Sequence, residues 1–177
     1  MRISTIRPLA AVFAVAATLT LGACSDSGST SAQAKKIDAC GLLTPDQVQA
    51  VVGQPFKRAR NGSTAGGGKN EGAMTSCHWD AASEAVRAPD VTLMVWTWPA
   101  GTKGAQNYIH SFSEAHKQDA SIPEPEPVSL GDEAIWDGMG VDVRKGDVNF
   151  SLAIVGPDKA TARKATMELA RKVLDKL

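Results

Sequence analysis

The sequence predicts an α+β fold, in which helices pack on an antiparallel sheet. Two observations carry this prediction. Segments with strand character follow one another across short turns, and helical segments lie among them in the order helix, strands, helix, strands, helix. The clearest strand is 148–155, where Val148, Phe150, Leu152 and Ile154 alternate along one face. The turn Lys145-Gly146-Asp147 predicts a hairpin with the strand at 141–144.

The first predicted helix has a start and a stop signal in the residues around it. Thr44 is the expected N-cap, Pro45 suits the first helical position, and Gln47 stands where it completes a capping box. Gly53 suits the left-handed position after the last turn. We therefore expect a helix of about two turns through Val52.

The next segment is expected to be a loop followed by two strands. Residues 57–72 contain five glycines and almost no apolar residue, which predicts a mobile loop. The stretches 75–80 and 91–98 predict strands, and both faces of the second are largely apolar. The second strand is therefore expected inside the sheet.

The rest of the chain predicts two more helices, with an extended connection and three strands between them. Residues 105–117 show helical spacing of apolar residues, with Thr102 as a candidate cap. Three prolines at 123, 125 and 127 predict an extended connection, and 133–137 predicts a strand. Asp158 suits the N-cap of the last helix, whose apolar stripe runs from Ala162 to Leu177 and whose other face is basic.

A weak internal duplication is a further expectation. Trp79-Asp80 and Trp136-Asp137 each lie at or near a predicted strand, and a helix follows later in each half of the domain. The hypothesis requires that the two halves share one strand order.

The N-terminus carries an export signal. Arg2 and Arg7 precede or border an uncharged apolar run, which ends in Leu21-Gly22-Ala23-Cys24. A basic start, a short apolar segment and small residues before a cleavage site are typical of a secretory signal peptide. The last four residues resemble the bacterial lipobox, which predicts lipidation, including palmitate, at Cys24. A plain signal peptide with a chance cysteine is the alternative.

These features divide the chain into a signal peptide at 1–23, a lipid-anchored tether at 24–36 and one α+β domain at 37–177. The tether is rich in Ser and Ala and has no large apolar residue, which is typical of a flexible linker. The expected location is the outer face of the cytoplasmic membrane, or the outer membrane if the host has one. The lipid bilayer is then the first partner, held through the anchor.

The remaining cysteines predict a disulfide bond. With Cys24 assigned to lipid, Cys40 and Cys77 form an even pair in an oxidising compartment. A free pair or a metal site is the alternative, although the spacing of these cysteines and His78 does not match that of zinc ligands. The expected role of the pair is structural.

Several short motifs resemble those of small bacterial cell-envelope lipoproteins from an uncharacterised family common in actinobacteria. They are, in order, Cys40-Gly41-Leu42-Leu43-Thr44, Cys77-His78-Trp79, Leu130-Gly131-Asp132-Glu133-Ala134 and Val143-Arg144-Lys145-Gly146-Asp147. The resemblance implies a paired cysteine, an α+β domain and surface anchoring. It implies no catalytic residue.

Composition and motifs give little support to catalysis, a cofactor or a metal. The 19 basic and 19 acidic residues balance, so no basic excess points to nucleic acid. The glycines before Lys69 do not fit a phosphate-binding loop, because Ser63 and Asn70 occupy two of its required positions. His110 and His116 lie six residues apart, which does not suit a metal pair on one helix.

Acidic and aromatic residues provide the remaining candidates for a binding site. Asp132, Glu133 and Asp137 near Trp136 could bind a cation or a sugar, although solvation at turns and strand ends explains them equally well.

The ligand-binding candidates are Met94, Trp96 and Trp98, which share one face of a predicted strand. They could line a pocket for an apolar or glycan ligand, whereas packing in the core is the alternative. The sequence therefore favours a non-enzymatic binding or accessory module for an envelope protein, a lipid or a cell-wall component. A hydrolase-type enzyme whose residue spacing hides its site, or a purely structural protein, is the alternative.

Overall fold

The protein is built on a seven-stranded antiparallel sheet with helices on both faces, which confirms the predicted α+β class. The computed structural model describes residues 33–57, 59–68, 71–83, 88–156 and 158–177. The predicted signal peptide, Cys24 and the tether up to residue 32 lie outside the described residues. The elements are α1 (Ala39–Leu42), α2 (Pro45–Val52), β1 (Arg60–Gly66), β2 (Ala73–Trp79), β3 (Asp90–Thr97), α3 (Gly104–Gln118), β4 (Glu126–Pro127), β5 (Glu133–Trp136), β6 (Gly140–Lys145), β7 (Val148–Val155) and α4 (Lys159–Leu174).

The strand order is β1-β2-β3-β7-β6-β5-β4, and each neighbouring pair is antiparallel. β3 and β7 form the central pair, whose register runs from Asp90 opposite Val155 to Thr97 opposite Val148. β3 therefore lies inside the sheet, as its apolar faces predict, and β7 has the predicted bounds.

The two faces of the sheet are covered by different helices. One face forms the main hydrophobic core, in which Val95, Phe150 and Val143 pack with residues of α1, α2 and α4 such as Val48 and Leu169. The other face carries polar as well as apolar side chains and contacts α3. The second face therefore has a buried polar group, Asp142, beneath α3.

The predicted caps of α2 and α4 are confirmed. The Thr44 hydroxyl accepts from the backbone N–H of Gln47, whose side chain accepts from the backbone N–H of Thr44. Gly53 ends α2 with φ of 83°, a left-handed conformation that glycine adopts without strain. The Asp158 carboxylate accepts from two backbone N–H groups at the start of α4.

The start of α3 differs by one residue from the prediction. Lys103 is the N-cap and makes no side-chain capping bond, whereas Thr102 lies one position earlier. The Thr102 hydroxyl donates to the carbonyl of Pro99 and accepts weakly from the N–H of Gly104, at 3.4 Å. Thr102 therefore closes the turn that leads into the helix.

The predicted mobile loop at 57–72 is wrong for its central part, because residues 60–66 form the edge strand β1. These residues have low strand propensity, yet their backbone pairs with β2. A bulge between Asn61 and Thr64 accommodates the irregular register. The Cα of Gly62 lies so close to the Ser76 hydroxyl and the His78 ring that an added Cβ would collide with both. Long-range pairing, and not local preference, determines this strand.

The predicted disulfide between Cys40 and Cys77 is present. Cys40 belongs to α1, a single turn that the sequence did not predict, and Cys77 is a buried residue of β2. Asp38 caps α1 by accepting from the N–H of Cys40 at 3.1 Å. The bond therefore holds the first helical turn on the main core.

The strand order bears on the internal duplication. β1-β2-β3 and β5-β6-β7 are both three-stranded meanders, each followed by a helix, and they meet at the β3–β7 pair. However, α3 and α4 contact opposite faces of the sheet, and the two Trp-Asp pairs belong to β2 and β5, which are not equivalent in this arrangement. The duplication stays a prediction.

Candidate functional site

Met94 and Trp96 lie on the face of the sheet that contacts α3, as their spacing predicts. Both side chains are half-buried. The ring of Trp96 lies 4.7 Å from that of Tyr108, centre to centre, and Phe112 packs edge-on against Tyr108 at 5.5 Å. Trp96 is therefore engaged with α3.

Trp98 follows the last residue of β3 and is also half-buried. Its indole Nε1 donates to Oδ1 of the buried Asn149 over 2.8 Å, and the Nδ2 of Asn149 donates to the carbonyl of Ala105. The ring also lies over Gly72 and Gly104, where an added Cβ would meet it. The structure thus brings Trp98 to the start of α3, and ligand binding by Met94, Trp96 and Trp98 stays a prediction.

A buried carboxylate lies beneath α3. Asp142 of β6 is 1% exposed, and its Oδ1 accepts a hydrogen bond from the Tyr108 hydroxyl at 3.1 Å. Burial raises the pKa of Asp142 to about 7; the charge of Asp137 adds to this shift, and the Ser151 and Tyr108 hydroxyls oppose it. Burial also raises the pKa of Tyr108. A raised pKa can indicate a catalytic acid, but this group is enclosed by the helix above it.

The acidic residues near Trp136 are engaged with local partners. Arg144 binds Asp132 at 3.2 Å and Glu133 at 3.3 Å, and Glu133 also contacts His110. Asp137 accepts from two backbone N–H groups of the turn between β5 and β6. Within the described ranges, no group of three or more His, Cys, Asp or Glu side chains could hold a metal ion.

Exposed apolar side chains gather at one end of the sheet. Met139, in the turn between β5 and β6, is 76% exposed, and Val155, the last residue of β7, is 71% exposed. Ile122 is 39% exposed, and the adjoining Pro123 packs beside Gly138 of the same turn. We call Ile122, Pro123, Met139 and Val155 the apolar tip. Large apolar side chains that gather at one place in this way are typical of a binding surface.

A groove of about 270 Å³ runs between the apolar tip and the first turns of α4. Arg163 of α4 stacks over Trp136, with its Cζ 5.2 Å from the ring centre, and Glu126 holds Arg163 through a 2.6 Å ion pair. This arrangement fixes one wall of the groove. The lining residues are Trp136, Gly138, Met139, Ile154, Val155, Gly156, Lys159 and Ala162.

A second groove of about 220 Å³ lies on the other side of the start of α4. It shares Ile154, Gly156 and Ala162 with the first groove and extends to Val52 and Gln54 near the end of α2. The Nε2 of Gln54 is buried and has no hydrogen-bond partner in the described part of the chain. The start of α4 is therefore flanked by grooves on two sides.

Sequence reasoning missed the apolar tip, although one signal pointed to it. Met139 stands between Gly138 and Gly140 in a turn, a position where a polar residue is expected. Val155 ends a strand whose buried face is formed by even-numbered residues, so its side chain points away from the main core. Met139 and Val155 line one groove with residues of α4, and only the tertiary structure brings them together there.

The tether meets the sheet at the end opposite the apolar tip. The side chain of Gln33 donates to the carbonyl of Gly67, and the Thr75 hydroxyl donates to the carbonyl of Ile37. These contacts lie near Ala73, whereas the apolar tip lies beyond the other ends of β3 and β7. The eight residues of β3 span seven rises of about 3.3 Å, which separates the two ends by roughly 23 Å.

Comparisons with known proteins add no family. The chain matches no family model, no curated protein and no solved structure at a significant level. None of the described helices combines the length and the apolar character that crossing a bilayer requires.

Proposed function

We propose that this chain is a lipoprotein of the cell envelope, anchored through lipid on Cys24, whose domain is a non-enzymatic binding module. The lipobox-like residues 21–24 and the Ser-rich segment after them support the anchor. The disulfide between Cys40 and Cys77 fits an oxidising compartment.

The exposure of Met139 and Val155 beside the apolar groove carries the proposal of binding. Apolar side chains of this size are normally buried, and their clustering next to a concave surface is typical of a site that another molecule covers. Lys159 and Arg163 give this surface a polar rim. Asp142, whose pKa burial raises to about 7, lies beneath α3 and does not line this groove, which favours binding over catalysis there.

Mass spectrometry of the mature protein from its host tests the anchor. We expect a diacylglyceryl-modified Cys24 as the first residue, and release of a Cys24→Ser variant from the membrane. An unmodified mature N-terminus, or a Cys24→Ser variant that stays membrane-bound, would contradict the anchor.

Site-specific photocrosslinking of the full chain in intact cells tests the binding surface. A benzophenone amino acid at Met139 should give discrete crosslinked products, whereas the same group at Ser111, exposed on α3, should not. Adding Val155→Asp should remove the products. Identical products at both positions would contradict a binding surface at the apolar tip.

A further inference from the structure

We propose that the groove at the apolar tip holds a single acyl chain that ends in an anionic head group, with Lys159 as the partner of that group. This inference rests on the proposed binding function and names the ligand class for the same site. A free fatty acid and a lysophospholipid share the required chemistry.

The composition of the groove favours an acyl chain. Among the described residues that line it, all except Lys159 are apolar or glycine, and Lys159 alone is charged. Pockets that enclose a whole drug-sized ligand measure roughly 300–1,000 Å³, so a groove of about 270 Å³ suits one narrow chain. The unbranched, flexible side chain of Met139 can follow such a chain along the open side.

Peptides and glycans fit this groove less well. A peptide brings a polar N–H and C=O at each residue, and a sugar brings several hydroxyl groups, all of which need partners when buried. None of the described lining residues carries a hydroxyl or an amide side chain. The ring of Trp136, on which a sugar could stack, already carries Arg163 on one face.

Lys159 is available to bind an anion. It is exposed at the first position of α4, and no ion pair joins it to a described carboxylate. The neighbouring Asp158 accepts from the backbone N–H groups of Ala160 and Thr161 and from the Thr161 hydroxyl. Glu126 is paired with Arg163, and Asp137, which stands between two lining residues, accepts from the backbone N–H groups of Met139 and Gly140. No ion pair among the described residues therefore occupies the ammonium group of Lys159.

Photoaffinity labelling of the full chain in host membranes tests the inference. One arm uses a fatty acid with a diazirine in its chain, and the other uses a lysophosphatidylglycerol with the same group. We expect labelled peptides from 136–140 and 154–162 in at least one arm, and competition by the unlabelled compound. The arm that labels these peptides identifies the head group.

Variants separate groove binding from general association with membranes. Val155→Asp should reduce labelling by about tenfold, because it places a charge in the apolar lining. Lys159→Glu should reduce it by about fivefold, whereas the matched change Lys164→Glu, outside the groove on the same helix, should leave it unchanged. Circular dichroism of each variant checks that the fold is retained.

Two outcomes would overturn the inference. Labelling spread evenly over the domain would indicate contact with bulk membrane, and absence of label in both arms would exclude this ligand class. Either outcome leaves the proposed function standing if the crosslinks from Met139 persist and Cys24 is lipidated. Loss of those crosslinks would instead contradict the binding module itself.

Discussion

The hydroxyl of Tyr108 on α3 donates a hydrogen bond to Oδ1 of Asp142 on β6, over 3.1 Å. This bond joins the helix to the polar face of the sheet at a carboxylate that is 1% exposed. Because burial raises the pKa of Asp142 to about 7, the docking of α3 is linked to pH.

Asp142→Asn should remove a pH dependence of stability. The pKa of Asp142 is raised on folding, so ionisation favours the unfolded chain. The contribution of this group to the free energy of unfolding should fall as the pH rises from about 4 to about 7, by at most ~4 kcal/mol. Urea titrations at several pH values, with wild type and variant compared, measure this. Parallel pH profiles would contradict the assignment.

Tyr108→Phe should cost more stability at alkaline than at acidic pH. The lost hydroxyl donates to a charged acceptor above about pH 7 and to a neutral one below it, and hydrogen bonds to charged groups contribute about 1.5–3 kcal/mol. Urea denaturation at about pH 5 and about pH 8 measures the difference. Phe112→Leu, a change in the same aromatic group without a polar atom, is the control and should show no such pH effect.

Reduction of the Cys40–Cys77 bond should destabilise the domain. The two residues are 37 positions apart, and the chain-entropy model assigns about 4 kcal/mol to a loop of this length. The melting temperature should fall by about 10 °C in dithiothreitol. A Cys40→Ala/Cys77→Ala variant should show the same decrease without reductant, and an unchanged melting temperature in both would refute this contribution.

Gly62→Val should detach the edge strand β1. Its side chain would collide with Ser76 and His78, which lie directly beneath Gly62, and the expected loss of stability is about 1–3 kcal/mol. Hydrogen exchange should show faster exchange in β1 and β2. Ala65→Val, at an exposed position of β1, is the matched control and should change stability by less than about 0.5 kcal/mol. If Gly62→Val behaved like this control, β1 would not be packed as described.

Asn149→Ala should loosen the start of α3. It removes the acceptor of the Trp98 indole and the donor to Ala105, and it leaves the indole N–H without that partner at a partly buried site. We expect a loss of about 2–4 kcal/mol in urea denaturation. Trp98→Phe, which removes the indole N–H and part of the ring but keeps the bond from Asn149 to Ala105, should cost less. A loss of the same size for both variants would contradict a large contribution from that bond.

The sequence predicted those elements whose signals are local. The alternation of Val148, Phe150, Leu152 and Ile154 located β7, and the caps at Thr44 and Asp158 located two helix starts. The sequence does not predict β1, because pairing with β2 stabilises this strand despite its glycines. Asp142 stands between Val141 and Val143, where a polar residue suggests a solvated face, and only the position of α3 buries it.

The groove at the apolar tip could not be predicted from the sequence, because its lining residues are distant from one another along the chain. Met139 and Lys159 are separated in sequence by all of β6 and β7, and no periodicity connects them. They line one groove because the turn between β5 and β6 and the start of α4 reach the same end of the sheet. Tryptophan residues were the more visible candidates, yet Trp96 and Trp98 are engaged with α3.

The β3–β7 pair also constrains the order in which the protein can fold. Each meander joins neighbouring segments and can form early, and the disulfide joins α1 to β2 of the first meander. The central pair places Val95 opposite Phe150, so it can form only when nearly the whole chain is available for folding. If the chain is exported N-terminus first, as the proposed function requires, the sheet would be completed only after translocation had almost ended.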